Sequence, residues 1–162
     1  LEERELNCSV VDIRQLISQI KTLAEVMEEK SDKDFTVTAV GESETLVADA
    51  EIIMEVADNL LSNAFRYASQ KVGLKLTVTA QDLKMSISDD GTGFQENTDT
   101  VTQAFYHENS QDDLKHFGMG MYISRIYCER HGWKLLIKNV ADGGAEVEAV
   151  FKNYVLEEQQ QK

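Results

Sequence analysis

The chain has 162 residues, 42% hydrophobic and 28% charged, enough apolar material for one packed domain. Its formal net charge is -13, with no cluster of Lys and Arg, which excludes a general nucleic-acid binder. Cys8 and Cys128 stand far apart with no CxxC, which fits a reducing compartment better than a disulfide framework, and no apolar run of about 18 residues is present to cross a membrane.

Residues 1–7 are charged and carry no signal-peptide pattern; they read as the end of a preceding helix or linker in a longer protein. Proline is absent, so element boundaries come from periodicity. Residues 9–12 are extended in character. From Ile13 apolar residues recur at helical spacing (Ile13, Leu16, Ile17, Ile20, Leu23, Ala24, Met27) until the charged stretch 28–34. Phe35, Val37 and Ala39 then alternate with Thr36, Thr38 and Val40; with residues 45–48 after the polar 41–44, this predicts a hairpin. Asp49 is placed as the N-cap of a second helix reaching about Ala68.

Residues 74–80 and 83–88 read as two strands joined at Gln81 and Asp82. The polar stretch from 94 to 117 has no clear period, and a loop of that length inside a compact domain reads as a lid. A third helix is predicted over 119–130, stopped by His131-Gly132. Residues 133–139 and 145–151 form the last strands around Asp142-Gly143-Gly144, and 155–162 is a polar tail. The expected fold class is α/β: a two-layer sandwich with a mixed sheet of about five strands plus a short hairpin, and three main helices on one face.

Three short stretches carry candidate chemistry. In the second helix Asn59 and Asn63 are four apart and share a face with Arg66 nearby. An amide oxygen is a hard donor that completes a Mg²⁺ shell without adding charge, although two such asparagines alone are equally a solvated helix face. Asp89-Asp90-Gly91-Thr92-Gly93 follows a strand directly, which places a carboxylate at the strand end with glycines beside it for close backbone approach. Gly118-Met119-Gly120-Met121 opens the third helix, where free N–H groups and the positive end of the dipole offer an anion site. That last feature supplies local positive potential in a chain of strongly negative charge.

Taken in this order, the stretches resemble the GHKL ATPase and kinase superfamily, and within it the catalytic domain of bacterial sensor histidine kinases. The resemblance runs from about Cys8 to Phe151, and residues 8–154 are taken as the ATP-binding catalytic domain. Asn59-Leu60-Leu61-Ser62-Asn63-Ala64 is similar to the family's N box, residues 89–93 to its G1 box, 118–121 to its G2 box, and Phe105-Tyr106 to its aromatic F box. The resemblance implies a Bergerat-type fold with ATP and Mg as cofactors. Asn63 would then ligate Mg²⁺, with Asn59 close to metal and phosphates and Arg66 on phosphate oxygens. Tyr67 would lie near the base or ribose, Phe105 of the F box is a further candidate nucleotide contact, and Asp89 would accept from adenine N6, with Gly91 and Gly93 giving clearance. Gly118, Met119, Gly120 and Met121 would cradle phosphates beneath a lid over 95–117, in which Lys115 is a candidate phosphate contact.

The superfamily's hydrolases carry a Glu at the position of Asn59, where it activates water. An amide cannot take that proton at neutral pH, so the resemblance implies a kinase that keeps the γ-phosphoryl for another nucleophile. His107, His116 and His131 are the only histidines, and none stands in an acceptor context. The acceptor is therefore expected on an upstream dimerisation domain. A response regulator receiver domain is expected as partner, and a membrane-anchored parent protein with this domain on its cytoplasmic side. The chain departs from the family pattern at His107, where an arginine is frequent, at Ala145, where a threonine is frequent, and at Met119 and Met121, which replace leucines. The alternatives are a GHKL ATPase and a degenerate module that signals by conformation without phosphotransfer.

Overall fold

The computed structural model describes residues 5–41, 44–92, 124, 128, 133–139 and 143–154. Strand β1 (Ser9–Asp12) leads directly into helix α1 (Ile13–Ser31), because Asp12 takes extended backbone and its carboxylate accepts from the Gln15 N–H at 3.2 Å. The predicted stripe is the buried one: Ile13, Leu16, Ile20 and Ala24 are in the core, with Ile17, Leu23 and Met27 packed at its margin. The helix ends at Asp32 in the left-handed region (φ 59°), where its N–H returns to the Glu28 carbonyl. A short polar side chain tolerates that conformation better than most.

Helix α2 (Ala50–Tyr67) starts at the predicted cap. Asp49 is buried, and its two oxygens accept from the Ile52 N–H at 3.2 Å and the Asn7 N–H at 2.9 Å. One side chain thus closes the helix and fastens the segment before β1. The buried face of α2 carries Ile52, Ile53, Val56, Ala57, Leu60, Leu61, Ala64 and Phe65.

Helices α1 and α2 pack on one face of a five-stranded sheet built from β2 (Asp34–Gly41), β4 (Lys71–Val78), β5 (Asp82–Asp89), β6 (Lys134–Asn139) and β7 (Ala145–Lys152), in the order β2-β4-β5-β7-β6. Only β2 and β4 run parallel, and α2 lies in the crossover that a parallel pair requires. Alternation is strict along β4: Val72, Leu74, Leu76 and Val78 are buried, while Lys71, Gly73, Lys75 and Thr77 face the other way. Leu83, Met85 and Ile87 of β5 and Val147, Ala149 and Phe151 of β7 complete the core layer. Burying each of the larger aliphatic side chains contributes about 2 kcal/mol.

The expected hairpin over 35–48 does not form. Strand β3 (Thr45–Ala48) pairs antiparallel with β1 in a separate two-stranded sheet, with Val10 opposite Val47, and β2 pairs instead with β4. Alternation identifies a strand but not its partner, and here β2 and β3 belong to different sheets. Asn153 knits the two sheets together: its side-chain oxygen accepts from the Val47 N–H at 3.1 Å and its amide donates to the Ala80 carbonyl at 3.0 Å. The two expected hairpins at 74–88 and 133–151 are present, as β4-β5 and β6-β7. Of the expected third helix, Ser124 and Cys128 lie within the described residues, and both are helical and fully buried.

Candidate functional site

Along α2 the face predicted from spacing is present. Asn63 is buried at 6% exposure, Asn59 one turn earlier is half-buried, and Arg66 and Tyr67 are exposed at the helix end. The Asn59 amide nitrogen donates to the Ser124 hydroxyl at 3.4 Å, so this face meets the helical segment that follows residues 118–121. The Arg66 guanidinium lies 5.8 Å from the Tyr67 ring centroid, a cation–π distance.

The exit of α2 is held by a cation. The Lys33 ammonium donates to the Phe65 carbonyl and, at 3.4 Å, to the Arg66 carbonyl. These are carbonyls of the last turn, where the helix dipole is negative and a cation is favourable.

Asp89 ends β5 on the same side as Leu83, Met85 and Ile87, beneath the helices. Its carboxylate accepts from the Gly91 N–H at 2.9 Å and from the backbone of Ala145, its register partner in β7. Burial pushes its carboxyl above the usual carboxylate range, against the pull of those two N–H groups.

The glycines here answer to the protein's own backbone. A Cβ on Gly91 would overlap the Tyr67 carbonyl oxygen, so this glycine lets the end of β5 seat against the exit of α2. Gly144 has φ +93°, and a Cβ there would overlap the Asp89 carbonyl oxygen. Three pieces of chain, the α2 exit, the β5 end and the β7 start, therefore meet at Asp89. Spacing alone suggested ligand clearance at Gly91; the neighbouring helix end was not visible from it.

Asp90 is a residue whose part sequence reasoning missed. Its Oδ1 accepts from the N–H groups of Ser69, Gln70 and Lys71 at 2.9, 2.9 and 3.0 Å. Those bonds, led by the ones from Lys71 and Gln70, hold its carboxyl below the usual range. A cavity of about 750 Å³ opens nearby, lined by Glu28, Asp34, Lys71, Gly73, Asp89 and Asp90 among others. Four carboxylates against one ammonium make it unsuited to a triphosphate.

Gly93, Phe105, Lys115, Gly118, Met119, Gly120 and Met121, with Tyr106 and all three histidines, lie outside the described residues. The structure thus brings together Asn59, Asn63, Arg66 and Tyr67 on one helix, with Asp89 and Gly91 against that helix's exit.

A family sequence profile for histidine kinase-, DNA gyrase B- and HSP90-like ATPases matches residues 48–154, from the end of β3 to just past β7. The chain belongs to that family. Among curated relatives it is 26% identical over 151 residues to hybrid signal transduction histidine kinase D of Dictyostelium discoideum, covering 87% of this chain and 10% of that protein. It is 32% identical over 108 residues to the sensor protein FixL of Bradyrhizobium diazoefficiens, covering 64% and 21%. With the histidine-protein kinase/phosphatase MprB of a Mycobacterium species it shares 27% over 138 residues, covering 83% and 26%. This domain thus spans between a tenth and about a quarter of these relatives' length.

Solved structures establish the same fold. Full-length ShkA in complex with AMPPNP superposes with a TM-score of 0.74 at 20% identity, covering 93% of this chain and 32% of that one. The nucleotide-free catalytic domain of histidine kinase ThkA gives 0.68 at 20% identity, covering 91% and 97%. The α/β sandwich with its five-stranded mixed sheet is therefore that of histidine kinase catalytic domains.

Proposed function

We propose that this chain is the ATP-binding catalytic domain of a two-component sensor histidine kinase, which transfers the γ-phosphoryl of Mg-ATP to a histidine on an upstream dimerisation domain. The observation that carries the kinase reading is Asn59, half-buried one turn before Asn63 and donating to Ser124. A water near that position finds an amide in place of a carboxylate, and an amide does not accept a proton at neutral pH. In-line attack by water lacks its base, and the γ-phosphoryl remains for a nucleophile brought by another domain.

Among the described residues no group of three or more His, Cys, Asp or Glu gathers to hold a metal. The hard, neutral oxygen of Asn63 would suit a Mg²⁺ delivered on phosphate oxygens. When bound, the ion supplies charge neutralisation for the triphosphate. Arg66 would touch phosphate oxygens, and the helix start at Gly118, Met119, Gly120 and Met121 would turn its N–H groups toward them, with Lys115 as a further cation. Asp89 would accept from adenine N6, while Tyr67 and Phe105 would flank the base or ribose and Gly93 would give the chain room beside it. These placements agree with the overall charge of -13, since positive potential is needed only locally.

The partners follow from the same reading: the upstream dimerisation and acceptor domain, and a response regulator receiver domain. Among the described residues no helix is long and apolar enough to cross a membrane. We place the domain on the cytoplasmic side of a membrane-anchored parent kinase.

Thermal unfolding with and without nucleotide tests the reading. ATP with Mg²⁺ raises the Tm of the wild-type chain, the rise shrinks when Mg²⁺ is chelated, and Asn63→Ala abolishes the Mg²⁺-dependent part. No shift at millimolar ATP would remove both the kinase and the ATPase readings.

A further inference from the structure

We propose that Asp90 is a positioning residue that locks the phosphate-facing exit of α2 to the base-facing end of β5, fixing the separation at which the two ends of one nucleotide are held. The inference rests on the ATP-binding reading above.

The geometry is compact. Helix α2 ends at Tyr67; Ala68 leaves with extended backbone (ψ 145°), its N–H still bonded to the Ala64 carbonyl at 2.9 Å. The next three residues are polar and exposed, so no apolar side chain pins them. Their three consecutive N–H groups converge on one oxygen of Asp90, and the Asp90 N–H returns to the Lys71 carbonyl at 3.3 Å. An acceptor-only carboxylate suits three donors at once, and charge-assisted bonds are the stronger kind.

Asp90 sits between the two groups it would align. Asp89, the adenine acceptor, precedes it, and Gly91, which seats against the Tyr67 carbonyl, follows it. On the other side the three amides follow Arg66 and Tyr67 within five residues. Lys33 holds the carbonyls just before the turn and Asp90 the amides just after it, so each charge meets the backbone group of opposite polarity. The Gln70 carbonyl accepts from Asp34 N–H at 2.8 Å, which ties the turn to β2 but not to the strand bearing Asp89. Without the Asp90 carboxylate the β4-β5 ladder and the bond from the Asp90 N–H to the Lys71 carbonyl still join the two strands, but the Ser69, Gln70 and Lys71 N–H groups lose the acceptor that fixes the α2 exit against the β5 end.

A ligand that touches only one end is insensitive to that registration, whereas one that spans both is sensitive, since displacements near 1 Å are costly in a bound geometry. The test is calorimetric titration of adenosine and of Mg-ATP into the 162-residue wild type and its Asp90→Ala and Asp90→Asn variants. Asp90→Ala is expected to weaken ATP about tenfold or more while adenosine changes less than about twofold. Asp90→Asn, whose side-chain oxygen still accepts, restores most of the ATP affinity. Amide exchange in Asp90→Ala speeds at Ser69, Gln70 and Lys71 and not in the middle of α2. Equal losses for ATP and adenosine, or a lowered Tm with unchanged affinities, would overturn the proposal. If Asp90→Ala does not fold, Asp90→Glu moves the acceptor by one methylene and is expected to show the same selective loss; its absence overturns the proposal equally. A wild type that binds no Mg-ATP sinks the underlying reading, whereas a wild type that binds while its variants show no selective loss sinks only this one.

Discussion

At the β5 end of the site the chain works with backbone: the Gly91 and Ala145 N–H groups on Asp89, the Tyr67 carbonyl against Gly91, and Gly144 at positive φ over the Asp89 carbonyl. Along α2 it works with side chains on one helix face, Asn59, Asn63 and Arg66, while the buried face of the same helix carries the fold. The first arrangement makes shape and recognition inseparable. The second separates them further, so under the proposed function Asn59 and Arg66 can be changed at less cost to folding than to nucleotide binding.

The largest expected effect breaks the backbone end. Gly91→Ala sets a methyl against the Tyr67 carbonyl, and denaturant unfolding should show a loss of about 3 kcal/mol, with ATP affinity lost alongside. Asp89→Asn sharpens the contrast within that end. ATP binding should fall by about 2 kcal/mol, read by titration, because one carboxylate oxygen becomes an NH₂ donor that opposes the amine of the proposed adenine contact and the remaining oxygen is uncharged, while stability at neutral pH holds or rises as a half-buried charge is removed. On the helix, Asn59→Ala should cost about 1 kcal/mol of stability through its bond to Ser124, and weaken Mg-ATP with unfolding still cooperative. Lys33→Met removes the cation from the last carbonyls of α2 and should cost about 1 kcal/mol by urea midpoint.

Acid titration gives the smallest effect and the clearest sign. Asp90, held below the usual carboxylate range, contributes stability that is full above the unfolded value near 3.9 and is lost as pH falls through its own lower value. Asp89, pushed above that range, binds its proton more readily folded than unfolded, so its contribution is present in acid and lost as pH rises through its own higher value. Urea midpoints from about pH 3 to pH 7 should therefore show a flatter acid limb in Asp90→Asn. In Asp89→Asn the acid limb should be steeper than in the wild type.

Both helices and the α2 face were legible because their signals are local: apolar spacing, a capping Asp, and amides four residues apart. The five-stranded sheet was legible as strands, and its two hairpins as neighbours. The switch of residues 45–48 into a second sheet was not, since period two is silent about partners. The role of Gly91 was half legible: the sequence marks a place for glycine, but the Tyr67 carbonyl that requires it arrives from another element. Asp90 and Lys33 were hidden for the same reason, because their partners lie 19 to 21 and 32 to 33 residues away.

The central claim is that this domain holds ATP for transfer and not for hydrolysis. The direct measurement supplies γ-labelled ATP and Mg²⁺ to the chain with a separate acceptor helix hairpin from a histidine kinase. The account predicts acid-labile label on the hairpin's histidine, little inorganic phosphate without the hairpin, and loss of transfer in Asn63→Ala. Steady release of phosphate without any acceptor, and none transferred to the hairpin, would contradict it.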